Sequence, residues 1–319
     1  MTSESRLKYF PISFFAIIMG LIGLYLVLEK AAVILNFESG PLVFLLYFIV
    51  LLFLVLTIAY IIKMILYFEA VRKELAHPIR LSFFPAFSIS IILFSIAFLD
   101  INETLSKYLF VIGVTLHFLA TIYILSQWVR QTKFEIGHFN PGWFIPVVGN
   151  ILIPISGIYL FSPELSWFFY SIGIVFWMIL FTIFIYRVVF HHPMPSKLIP
   201  TFFILIAPPA IGFISYVKLT GSIDSFSKIL YYMGLFLLIF LAAQFKMFAA
   251  VKFYLSSWAY SFPVAAISLA TALMYQQTGL AFFNTLFFCL LALLTIFVVL
   301  LAIYTIKAAV KGEICVKED

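Results

Sequence analysis

The chain has 319 residues, of which 65% are hydrophobic and only 10% charged, with a mean hydropathy of +1.18. Soluble domains carry roughly 25% charged residues, so 19 Lys+Arg and 13 Asp+Glu cannot cover a water-facing surface of this size. A soluble globular protein is excluded, and the short polar stretches leave no room for a nucleotide-binding, kinase or nucleic-acid-binding module.

A hydrocarbon core about 30 Å thick needs roughly 20 apolar residues per helix. Apolar runs between charged or turn-like breaks predict ten transmembrane helices, at 11–32, 41–66, 83–99, 108–128, 143–161, 165–189, 198–216, 227–248, 256–275 and 280–306. The fold class is therefore an all-α polytopic membrane protein, a single transmembrane channel domain over residues 1–319. Breaks fall at Asn36 to Gly40, His77 to Arg80, Asp100 to Lys107, Arg130 to Asn140, His191 to Lys197, Lys218 to Ser225, Lys246 to Lys252 and Gln276 to Gly279, with the weakest at Ser162 to Glu164. Met1 to Lys8 resembles a signal n-region, but the first run is long and lacks an A-x-A cleavage site, so it reads as a retained helix. Basic residues resist translocation. Lys30, Lys107, Lys218 and Lys228 lie on one side and the other fifteen of the nineteen Lys+Arg on the opposite side, which places both termini in the cytoplasm. That bias explains the pI of about 9.1 without nucleic acid. Cys289, within a span, and Cys315, in the tail, lie too far apart in depth for a disulfide.

Odd and even helices differ. The even ones are bulky, whereas the odd ones carry small or proline residues three or four apart, a spacing that gathers them on one face. The stripes are Ser13, Ala16, Gly20 and Gly23; then Pro85, Ser88 and Ser95; Pro146, Asn150, Pro154 and Gly157; Pro208, Gly212 and Ser215; and Ser261, Ala265, Ser268 and Ala272. Five hairpins, each a small-faced helix followed by a bulky one, suggest an inner ring of odd helices around a central pore, a place where freed backbone groups are tolerated. The same stripes fit close helix packing through small residues, and taken alone they leave both readings open.

No Asp, Glu, Lys or Arg falls near the middle of a span. Coupled carriers place ionisable groups at that depth, so their absence favours a passive pathway, unless backbone carbonyls or Asn150, Gln244, Asn284 and His117 bind the ion. Histidines 77, 138, 191 and 192 show no metal-ligand spacing, and His117 reads as a hydrogen-bonded interhelical residue, so no metal site is expected. No cofactor is called for either. G-x-S-x-G, H-E-x-x-H and phosphate-binding glycine loops are absent, so no enzyme is expected. Phe262, next to Pro263, is a large ring in a small-faced region and could plug a narrow tube, although one phenylalanine among 40 ordinarily just packs.

Four local segments carry a resemblance: Tyr67 to Glu74 with His77 to Phe83; Phe14 to Ile17 with Gly20-Leu21; Asn140-Pro141 through Pro146 to Asn150; and Trp258-Ala-Tyr-Ser-Phe-Pro263. With the ten-span layout, they make the chain similar to the family of the bacterial tellurite-resistance protein TehA and the slow-type anion channels of plant guard cells, grouped also with malate permeases and sulphite exporters. The resemblance implies a homotrimer in the plasma (bacterial inner) membrane, each protomer holding its own pore closed by a phenylalanine that falls on Phe262. Kinking prolines frequent in the family are replaced here by Ile18 and fall away near Ser88. The expected function is a channel for small inorganic anions, chloride and nitrate, lined by Ser13, Ala16, Gly20, Gly23, Ser88, Ser95, Pro146, Asn150, Gly157, Pro208, Gly212, Ser215, Ser261, Ala265 and Ser268, with membrane lipid around it and no nucleic-acid partner. Alternatives are a secondary exporter of organic acids, sulphite or tellurite-related anions, and a non-transporting scaffold or enzyme.

Overall fold

In a computed structural model of the chain, which describes residues 6–38 and 40–317, the regular elements are helices; no strand occurs among the described residues. Ten helical stretches are long and apolar enough to cross a membrane: Ile12–Leu35, Leu42–Leu66, Arg80–Phe98, Glu103–Arg130, Pro141–Leu160, Pro163–Phe190, Ser196–Thr220, Ser225–Ala243, Leu255–Thr278 and Ala281–Lys311. They are numbered here as spans 1 to 10, and each coincides with one predicted run. Most of the predicted start at Met1 to Lys8 lies outside the described residues.

Turn chemistry sets the ends. Spans 1, 7 and 9 stop at residues in the left-handed region, Asn36 (φ 55°), Gly221 (φ 77°) and Gly279 (φ 69°), where only glycine or asparagine is at ease. Spans 4, 6 and 8 open on the N-caps Asn102, Ser162 and Asp224, whose side chains accept from the Leu105, Leu165 and Ser227 N–H groups at 2.9, 3.2 and 2.8 Å. The break at Ser162 is thus genuine, with Pro163 in the first helical turn. The exposed Asp224 carboxyl lies below the usual carboxylate range, because the Ser227 N–H and then the Tyr216 hydroxyl donate to it.

Three boundaries are corrected. Span 4 starts earlier than 108 because the Asn102 cap lets Glu103 and Lys107 enter its first turns. Span 8 ends at Ala243 rather than 248: the apolar run continues through Phe245–Ala249, but as a separate short helix beyond Gln244. Span 10 continues past 306 to Lys311, its lysines projecting from the end of the span.

Every odd span contains 3-10 helix in its first half: Ile12–Phe14, Arg80–Phe83, Pro141–Trp143 with Gly149–Leu152, Ser196–Ile206 and Leu255–Tyr260. Proline explains the pattern, since it removes the N–H that would close an α turn and clashes with the preceding turn's carbonyl. Pro11, Pro85, Pro146, Pro200, Pro208, Pro209 and Pro263 lie in or beside these segments.

Contacts between spans follow a simple order. Each odd span packs on the even span that follows it. Span 1 touches spans 3 and 9, span 5 touches 3 and 7, and span 7 touches 9, so the odd spans contact one another in a closed cycle. The 3-10 segments repeat that cycle: Ile12–Phe14 touches Arg80–Phe83 and Leu255–Tyr260, Pro141–Trp143 touches Arg80–Phe83 and Ser196–Ile206, and Ser196–Ile206 touches Leu255–Tyr260. In their most apolar stretches the odd spans have 72–78% of residues buried and the even spans 17–39%. The even spans face outward with large side chains such as Phe44, Ile65, Phe190 and Ile229.

Gly173 lets span 6 approach the backbone of span 5 closely. A Cβ on Gly173 of span 6 would stand 2.8 Å from the Ile151 backbone nitrogen and 3.2 Å from the Val148 carbonyl oxygen, neither of which can rotate away. Gly173→Val should therefore destabilise the fold by at least about 1–3 kcal/mol, the usual cost of overpacking. A thermal transition in detergent unchanged from the parent protein would refute that reading of the contact.

Candidate functional site

The odd spans enclose a cavity of about 1340 Å³ that opens among their 3-10 segments. Each contributes wall: Ser13, Ala16 and Met19 from span 1; Ala86 and Ile89 from span 3; Val148, Gly149 and Leu152 from span 5; Ala207, Pro208 and Ile211 from span 7; Phe262 and Pro263 from span 9. Beyond Ser13 these walls are apolar.

Phe262 is half-buried, and its ring edge faces span 1, where a Cβ on Gly23 would stand 3.5 Å from Phe262 Cδ2. Glycine at that position admits the ring and also seats span 9, since the same Cβ would come within 2.8 Å of the Ala265 Cβ. Gly20 does likewise one turn earlier, against Ser261 and the Trp258 ring.

Of the predicted lining, the structure places Ser13, Ala16 and Pro208 on the cavity wall, together with Phe262, the residue expected as the gate. The others meet neighbouring helices or their own backbone. Ser88 Oγ lies 2.9 Å from the Pro85 carbonyl and 3.0 Å from His117 Nδ1. Ser95 lies within 3.4 Å of Ser106 and Ser156. The Pro146 carbonyl accepts from Thr121, and the Asn150 amide donates to Val147 O and Thr121 Oγ1. Gly157 meets Phe110 and Ser166, Gly212 looks toward Ile174 and Leu230, and Ser215 donates to the Ile151 carbonyl at 2.6 Å. Ser261 and Ser268 donate to Trp258 O and Val264 O, and Ala265 is fully buried. Of the stripe positions, three thus stand on the cavity wall, Ser13, Ala16 and Pro208. His117 is the interhelical residue expected, buried beside Ser88 behind Gly149. Among the described residues no group of three His, Cys, Asp or Glu gathers for a metal.

Reading for small residues missed the bulky part of the wall, Met19, Ile89, Val148, Leu152 and Ile211. It also missed the network at the mouth. Lys63 of span 2 and Glu74 are 3% and 4% exposed and 2.7 Å apart. Lys63 Nζ also donates to the Phe10 carbonyl at 2.7 Å, while Glu74 accepts from the Ile12 N–H at 2.9 Å and the Tyr60 hydroxyl at 3.1 Å. The available signal was the near approach of the Tyr67 to Glu74 segment to the end of span 2, across a break too short to separate Lys63 from Glu74.

Around this network the mouth is basic: nine Lys and Arg line the cavity against Glu69, Glu74 and Glu313. The segment after span 10 contributes Glu313 to Lys317, with Cys315 half-buried. Burial pushes the Cys315 thiol above its ordinary range, with Arg6 and Lys63 pulling weakly the other way.

These features define a helical membrane protein built around a cavity with a basic mouth and apolar walls. The family described as voltage-dependent anion channel matches residues 9–306, and the chain belongs to that family. It is 34% identical over 222 residues to the S-type anion channel SLAH3 of Arabidopsis thaliana, covering 68% of this chain and 35% of that one. It is 28% identical over 336 residues to an uncharacterized transporter of Methanocaldococcus jannaschii, covering 98% of both. Identity to the tellurite resistance protein TehA homolog of Haemophilus influenzae is 26% over 267 residues, 81% of this chain and 78% of the relative. The match to SLAH3 thus spans about a third of that channel's length.

Proposed function

We propose that the chain is an anion channel, that small monovalent anions such as chloride and nitrate pass through the central cavity, and that the Phe262 ring closes it. The observation that carries the reading is a cavity that joins a lysine-rich mouth to apolar walls supplied by all five odd spans, with Phe262 among the wall residues. The odd spans form the inner ring of five hairpins. Their first turns meet at the mouth, where the positive ends of helix dipoles add to the basic side chains in drawing anions inward. The mouth faces the cytoplasm, as the Lys/Arg bias requires.

An ion crossing the apolar part sheds some hydration with little in return, so weakly hydrated nitrate passes more readily than chloride. No fixed charge sits in the middle of a span to couple the movement to protons or sodium. The large apolar outer faces of the even spans contact lipid and the other two protomers of a homotrimer.

The test is voltage clamp of the protein and its Phe262→Ala variant in symmetric chloride, followed by one-sided replacement with nitrate or malate. A reversal potential that follows the chloride or nitrate gradient supports the channel. Saturable, proton-dependent movement of a dicarboxylate, with no current that follows chloride, would instead make the protein an organic-acid permease.

A further inference from the structure

We propose that the basic mouth is a binding site for a soluble anion bearing several clustered phosphates, such as tripolyphosphate or a nucleoside triphosphate, which is too large and too highly charged to continue past Phe262. Topology accounts for basic residues at this end of the molecule, but not for their convergence on the wall of one cavity. Lys73, Lys252, Lys307, Lys311 and Lys317 reach that wall from the segment before span 3, the loop before span 9, span 10 and the segment after it. Of the three opposing carboxylates, Glu74 is held by the buried Lys63, and the exposed Glu69 lies 3.4 Å from Arg72.

Size points the same way. Sites for small organic ligands typically measure about 300–1,000 Å³, and this cavity, at about 1340 Å³, accommodates far more than one chloride. Several ammonium groups around a confined, partly apolar space focus potential more strongly on a polyvalent anion than on a monovalent one. Because the walls beyond Ser13 offer no charge, such an anion stops at the mouth and blocks it. The block rests on the channel reading above, whereas the binding does not.

Cys315, on the cavity wall, reports occupancy without any current. In a Cys289→Ser background the test follows labelling of Cys315 by a small neutral maleimide in the purified full chain. Tripolyphosphate at ten times its dissociation constant should slow labelling about tenfold by simple occupancy. Lys252→Gln, Lys307→Gln and Lys311→Gln combined should abolish that protection while leaving the thermal transition in place. Chloride or sulfate at matched ionic strength protecting equally well would overturn the proposal. So would protection that survives the triple substitution, or protection given only by anionic lipid added to the micelle. In patches that conduct, tripolyphosphate on the basic face should block the current. Protection of Cys315 in a protein that carries no current would uphold the site and sink the channel.

Discussion

Shortening Phe262 to leucine, valine and alanine should raise the anion current at each step, reaching at least about tenfold at alanine, since lowering a barrier by about 1.4 kcal/mol multiplies a rate tenfold. The expectation follows from where the ring sits: on the apolar part of the cavity wall, beside Gly23. An apolar constriction excludes ions partly by excluding water, so removing ring carbons both widens it and lets it wet. Phe262→Tyr, which keeps the ring, should stay close to the parent current. The gate fails as an idea if Phe262→Ala folds, keeps the parent's size in detergent and conducts no more than the unaltered protein.

The second large effect is on stability. Glu74→Ala should cost roughly 3–5 kcal/mol, the usual result of stripping one partner from a buried ion pair. Lys63 would stay buried with its charge uncompensated, and the Ile12 N–H and the Tyr60 hydroxyl would lose their acceptor. Lys63→Met combined with Glu74→Leu removes both charges and should recover much of the loss, because a buried pair and an apolar pair of similar volume are often close in stability. Thermal denaturation in detergent measures both. A single substitution that costs under about 1 kcal/mol, the value expected of an exposed pair, would show that water reaches the network. Since Ile12 and Phe10 flank the start of span 1, the single variant should also loosen the 3-10 segment Ile12–Phe14 at the mouth.

The ten spans were legible because hydropathy and turn residues report directly on bilayer depth and helix ends, and Asn36, Asn102, Gly221 and Gly279 stood in the breaks where they act as caps. The motif around Phe262 pointed to a residue that the structure places on the cavity wall. Which small residues face the cavity was not legible, because Ser13 and Ser88 look alike in sequence and differ only in what faces them, open space for one and His117 for the other. Period mattered too. Along Ser196–Ile206 side chains recur every third residue, so Leu198, Ile204 and, just beyond, Ala207 fall in one line on the cavity wall. A search tuned to 3.6 residues per turn passes over that line. Lys63 was read only as a topological charge, since nothing local to span 2 announces Glu74 as its partner.

The 3-10 segments also change how far the inner helices reach. At about 2.0 Å of rise per residue, the run Ser196–Ile206 covers roughly 22 Å, about 5 Å more than the same residues would as an α-helix. Span 7 is therefore longer than a hydrocarbon slab about 30 Å thick requires. A conversion of that segment to α-helix would shorten span 7 by about 5 Å and turn each of its side chains to a new bearing, so the reach of the span and the wall it gives the cavity are tied to a single backbone choice.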